Sequence, residues 1–99
     1  MRVMMKVAIP TEAGNRGIAE GALPKTVGAF LETHRPEAAY FAAQNGKRTA
    51  LFFFDLKDTT SIPSICEPFF ANLNAEIEIS PVMNADEMRA GVERAMKQR

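Results

Sequence analysis

Apolar and polar residues change period several times along this chain, and each change marks an element. Residues 2–9 alternate strictly. Val3, Met5, Val7 and Ile9 point one way, and Arg2, Met4, Lys6 and Ala8 the other. That is a strand with one apolar face, and Pro10 ends it. Thr11 to Gly14 reads as a loop. From Asn15, a good N-cap residue, to about His34 the spacing turns helical, with Leu23, Val27, Phe30, Leu31 and His34 on one side. Pro24 and the glycines at 17, 21 and 28 break this stretch, so a kink or two pieces are expected, the better half over 24–34. Pro36 stops it.

Ala38–Gln44 and Arg48–Leu56 read as two strands around Asn45-Gly46, the strongest short hairpin signal. A two-residue turn fixes the register, with Tyr40 opposite Leu51 and Phe41 opposite Ala50. One face then carries Phe41, Ala43, Ala50, Phe52, Phe54 and Leu56. The other carries Tyr40, Thr49, Leu51, Phe53 and Asp55. A loop of cap-type residues, Asp58 to Ser61, leads into a helix from Ile62 to about Leu73. Its apolar positions are Ile62, Ile65, Cys66, Phe69, Phe70 and Leu73, with Pro68 inside. Ala75–Ser80 alternates again through Ile77 and Ile79. Asn84, with Glu87 three residues on, signals a capping box. The last helix follows, striped by Met88, Val92, Ala95 and Met96.

The element order is β-α-β-β-α-β with a final helix, the split-βαβ order. Right-handed crossovers give a ferredoxin-like α+β domain whose antiparallel sheet runs 4-1-3-2, with the main helices on one face. The helix-facing set is Val3, Met5, Val7, Ile9, Phe41, Phe52, Phe54, Ile77 and Ile79. The opposite face mixes Met4, Lys6, Ala8, Tyr40, Thr49, Leu51, Phe53, Asp55, Glu76, Glu78 and Ser80. It is too apolar for plain solvent and too polar for a continuous core. A second copy covering it is the expected solution.

Length and composition bound the rest. Ninety-nine residues make one domain, and 46% hydrophobic with 24% charged residues is ordinary for a globular chain. Twelve basic residues balance twelve acidic ones, and no basic stripe exists. DNA or RNA binding is therefore not expected. Cys66 is the only cysteine, so no internal disulfide can form. No apolar run is long enough to span a membrane, and Lys6 interrupts the apolar start, against a signal peptide. The cytoplasm is the default location.

Three stretches carry a resemblance: Arg35-Pro36-Glu37-Ala38-Ala39-Tyr40-Phe41, Glu67-Pro68-Phe69-Phe70, and residues 74–83, Asn-Ala-Glu-Ile-Glu-Ile-Ser-Pro-Val-Met. With the element order, they make nearly the whole chain resemble the dimeric α+β barrel group, and in particular small bacterial proteins of unknown role within it. In that group two ferredoxin-like units press their open sheet faces together. The resemblance implies a homodimer. It implies no single activity, because the group holds cofactor-free monooxygenases, muconolactone-type isomerases and haem enzymes alike.

Chemistry-bearing residues are few. His34 is the only histidine and the only candidate acid–base of its kind. The hairpin register places Asp55 opposite Pro36, hence near His34, with Tyr40 on the Asp55 face. A His34–Tyr40–Asp55 cluster would make an oriented base beside a polar handle. The plain structural alternative is a helix-end imidazole, a turn-capping carboxylate and an interface ring. Glu76 and Glu78, two apart on a strand, share a face with Lys6 and read as its salt-bridge partners. One His and one Cys make no metal-ligand spacing, the glycines match no nucleotide loop, and no cofactor is expected. The leading expectation is a homodimeric, non-catalytic or binding protein that holds a small apolar molecule between sheet and helices, or only its twin. The alternative is a cofactor-independent enzyme, monooxygenase- or isomerase-like, acting on a small organic acid or aromatic through His34, Tyr40 and Asp55.

Overall fold

In the computed structural model, which describes Met1–Arg99, the alternating segment Arg2–Ile9 forms the first strand, β1. It is followed by α1 (Thr11–Glu20), α2 (Ala22–His34), β2 (Ala38–Gln44), β3 (Lys47–Asp55), α3 (Ile62–Leu73), β4 (Glu76–Pro81) and α4 (Ala85–Lys97). The four strands make one antiparallel sheet in the order β2-β3-β1-β4, the expected order read from the other edge. No helix is long and apolar enough to cross a membrane.

The hairpin forms in the predicted register. Tyr40 pairs with Leu51 and Phe41 with Ala50. Asn45 and Gly46 both adopt positive φ, 53° and 74°, as a type I′ turn requires. β1 lies between β3 and β4, with Met5 opposite both Phe52 and Ile79. Alternation therefore buries Val3, Met5, Val7 and Ile9 on the helix side, and Met5 and Val7 are fully enclosed. Phe30 of α2 and Phe69 of α3 close over Phe52, their ring centroids 4.5 and 6.1 Å from it and 5.8 Å from each other. Full burial of a side chain of this size stabilises by roughly 1.5–3 kcal/mol. These contacts fix where α2 and α3 sit.

Several expectations are corrected. Thr11–Gly14 is helix, and α1 begins directly after Pro10, which occupies the N-cap without a side-chain cap. Asn15 lies inside α1. The expected break falls at Gly21, whose φ of 82° both closes α1 and opens α2. Phe70 points outward and is exposed. Phe41 faces the helix side and packs edge-on against Phe52 at 6.0 Å, but it remains 59% exposed because no helix reaches over edge strand β2.

The glycines explain α1. A Cβ on Gly17 would stand 2.8 Å from the buried Leu73 Cδ2 and 3.2 Å from Leu23 Cβ, so α1 approaches α2 and α3 only because nothing is there. Gly28, in contrast, faces open space within α2. Gly17→Ala is therefore expected to destabilise the fold by about 1–3 kcal/mol through overpacking. Gly28→Ala should stabilise it by about 0.5–1 kcal/mol through helix propensity. Urea denaturation of both variants checks the pair, and effects of equal sign would contradict this packing.

Candidate functional site

The sheet divides the chemistry of the chain into two places. On the helix side a cleft of about 540 Å³ runs between α2 and α3. Phe30, Ile65 and Phe69 form its apolar floor, and all three are buried core residues. Thr26 and Asn72 supply its polar wall. Thr26 is buried, and its Oγ1 accepts a hydrogen bond from Asn72 Nδ2 at 3.2 Å, joining α2 to α3. His34 lies at one end, half-buried, its ring 4.9 Å from Phe30 and 6.1 Å from Phe54. Lys25 lies along the exposed margin.

His34 gets this position from the C-terminus of α2. Arg35 there takes a left-handed conformation with φ of 43°, and its N–H donates to the Leu31 carbonyl at 3.0 Å. The imidazole is held against the Phe30 and Phe54 rings at the C-terminal end of α2.

The other place is the open face of the sheet. Register gives its rows: Tyr40, Leu51, Lys6 and Glu78 in one, Ala38, Phe53, Met4 and Ser80 in the next. Met4, Leu51 and Phe53 are half-buried, and Tyr40 is 63% exposed. Toward the hairpin the face becomes polar. Lys47 Nζ bonds Glu76 Oε2 at 2.6 Å and holds that carboxyl below its ordinary pKa. Lys6 and Glu78 face each other in register without an ion pair, so Glu76 finds a partner other than the expected Lys6.

At the opposite end Asp55 Oδ1 accepts from the Met1 ammonium at 2.7 Å and Oδ2 from Lys57 at 3.0 Å. The Met1 ammonium, and after it Lys57, pull the Asp55 carboxyl down to about 2. Arg2, its neighbour in register, binds Glu37 at 2.8 Å and also Glu87 of α4.

The expected His34–Tyr40–Asp55 cluster is not assembled in the single chain. Phe54 and Asp55 are consecutive in β3 and so project to opposite faces. The His34 ring lies against Phe54, on the helix side, whereas Asp55 is bound on the open side. Tyr40 shares the Asp55 face, but its partner Leu51 is four residues away along β3, roughly 13 Å at ~3.4 Å per residue. Register predicts proximity along a strand. It does not predict which side of the sheet a helix-borne residue will take.

No family model matches the chain, and no curated protein matches it. Site chemistry is therefore read from geometry alone. The cleft offers an apolar floor, a buried hydroxyl bonded to an exposed amide, and an imidazole. Cys66 belongs to the core beside it, and burial raises its thiol pKa, which suits an inert packing residue. Sequence reasoning placed His34, Phe30 and Phe69 on apolar helix faces but missed Thr26 and Asn72. For Thr26 the signal available was its place one turn before Phe30 on the apolar side of α2; Asn72 is exposed, and the apolar spacing of α3 does not mark it.

Asp55 gives a pH test. A carboxyl with a lowered folded-state pKa contributes stability above its unfolded value, and this is lost as pH falls through the folded one. Asp55 is thus expected to titrate near 2 in carbon-detected NMR, and its small, solvent-screened contribution to disappear between about pH 4 and 2. Acetylating the Met1 ammonium should move that titration upward, and an unmoved midpoint would remove the ion pair from the account.

Proposed function

We propose that the chain is a ferredoxin-like domain that pairs with a second copy through its open sheet face as a dimeric α+β barrel. In this reading it holds a small, largely apolar molecule between α2 and α3. The α2–α3 cleft carries the ligand reading. Its floor is built from Phe30, Ile65 and Phe69, side chains already fixed by the core, so an apolar group can rest against it without reorganising the fold. The Thr26–Asn72 pair, its hydroxyl buried and its amide exposed, and the flanking His34 and Lys25 add a few directional groups, which is the usual make-up of a small-molecule site. With the Lys25 ammonium and the His34 imidazole at its margin and Glu20 the only carboxylate lining it, an aromatic carboxylic acid is the class that fits best.

A second reading, a cofactor-independent enzyme, is favoured by one observation: the sole imidazole of the chain lines this cleft. There His34 would act as acid or base without Tyr40 and Asp55, which belong to the other face. Turnover that survives His34→Ala would remove that reading.

The cleft is tested with a fluorinated set of benzoic and phenylacetic acids, matched with their neutral amides, by ¹⁹F NMR and thermal shift. Binding should favour the acids. His34→Ala should weaken it by about tenfold, the loss of one hydrogen-bonding contact. Ala29→Trp, on the exposed cleft wall, should fill the site and abolish binding while the fold stays intact. Binding unchanged in Ala29→Trp would place the ligand elsewhere.

The pairing is tested by light scattering. Met4, Leu51, Phe53 and Tyr40 form an apolar strip of the kind that monomers seldom expose. A two-fold contact doubles the effect of one substitution, so Phe53→Glu should give a folded monomer or a chain that cannot stand alone. Phe52→Glu, in the enclosed core, should unfold the chain outright. A wild-type monomer mass at tens of micromolar would refute the pairing, and a Phe53→Glu dimer would place the interface on another surface.

A further inference from the structure

The final helix has no place in the core. None of the residues of α4 is buried, and its stripe of Met88, Val92 and Met96 is 46%, 48% and 52% exposed. A helix of 13 residues is at the length where an isolated helix is marginal in water, and most helical stability comes from packing an apolar face. The capping box of Asn84 and Glu87 holds its first turn, contributing about 1 kcal/mol. Nothing in the chain covers its stripe.

Shape and attachment say where α4 stands. The chain measures 55 × 28 × 19 Å with a radius of gyration of 15.9 Å, against about 13 Å for a compact chain of this length. At its root Glu87 pairs with Arg2, and the Val82 N–H donates to the Arg2 carbonyl at 3.2 Å. Arg2 alternates with Val3 and shares the side of Met4 and Lys6, so α4 departs from the open-face side of the sheet.

We infer that a second copy of this chain covers the α4 stripe, as a continuation of the contact across the open face; the inference rests on the homodimer reading above. Area supports it first. Four strands about 4.8 Å apart, each with about seven residues at ~3.4 Å, present a flat face of roughly 450 Å². A stable pair buries about 800 Å² per partner. A two-turn apolar stripe rooted at the margin of that face supplies area that the sheet lacks. Charge supports it next. Asp86, Glu87 and Glu93 cancel Arg89, Arg94 and Lys97 along α4. A helix that lies on an anionic membrane carries a predominantly basic polar face, which α4 does not. The mixed charges instead suit the polar rim of a protein interface. In the dimer α4 is thus an arm that clasps the opposite protomer, and the capping box and the Arg2 pair aim it.

The test combines a triple variant, Met88→Ser, Val92→Ser and Met96→Ser, with hydrogen exchange. No altered residue is in the core, so the domain should fold as the wild type does. Sedimentation should show the dimer Kd raised by about a hundredfold, the loss of three partly buried apolar contacts in each of two symmetric arms. In the Phe53→Glu monomer the α4 amides should lose the protection they show in the wild-type dimer. An unchanged Kd in the triple variant, with α4 still protected in the Phe53→Glu monomer, would overturn the clasp and leave the sheet-face dimer standing. A wild type that is monomeric at all concentrations would overturn both. Stripe-dependent pelleting of that monomer with phosphatidylcholine–phosphatidylglycerol vesicles would then assign α4 to a membrane surface.

Discussion

The packing of Phe30 and Phe69 over Phe52 is the contact on which the rest of the molecule depends. Phe52 is held by β1 on one side and β2 on the other, with Met5 and Ala39 as its register partners. Its ring can therefore face only one side of the sheet, and α2 and α3 must come to that side to bury it. Once they do, the two helices lie side by side with their small and polar residues toward each other. The cleft between them follows from that placement. So does the position of His34, one turn beyond Phe30 on the same side of α2 and stacked on it.

The same contact leaves the other sheet face unpaired. A single helix layer covers one side only, so Met4, Leu51, Phe53 and Tyr40 are left half-buried or exposed. Charges collect at the two ends of that face: Asp55 with the Met1 ammonium at one, Glu76 with Lys47 at the other. These pairs are solvent-exposed and add little stability to the fold. Their placement around an apolar centre is the arrangement that interfaces use. The cleft and the open face are thus two consequences of one packing choice, separated by the thickness of the sheet.

Much of this was legible in the sequence where a local rule acts without competition. Strict alternation placed Val3, Met5, Val7 and Ile9 in the core. Asn45-Gly46 set the hairpin register, and Asn84 with Glu87 marked the start of α4. Failures occurred where tertiary contacts override local preference. Gly14 and Gly17 weaken a helix by propensity, yet Gly17 lets α1 pack close against the buried Leu73 and against Leu23. Phe41 has the right parity for the core, but helix coverage stops short of edge strand β2. His34, Tyr40 and Asp55 were grouped by register. Their separation depends on strand parity and on which face α2 packs against, and the second of these is set by the aromatic cluster rather than by His34 itself.

The proposed partner face and the proposed ligand cleft lie on opposite sides of the sheet. Amide shift mapping during dilution from millimolar to micromolar concentration tells the two apart. Met4, Lys6, Tyr40, Leu51, Phe53 and the α4 amides should move as the dimer dissociates, while Thr26, Phe30, His34 and Phe69 hold still. Shifts concentrated in the α2–α3 cleft, with the open face unmoved, would contradict this arrangement.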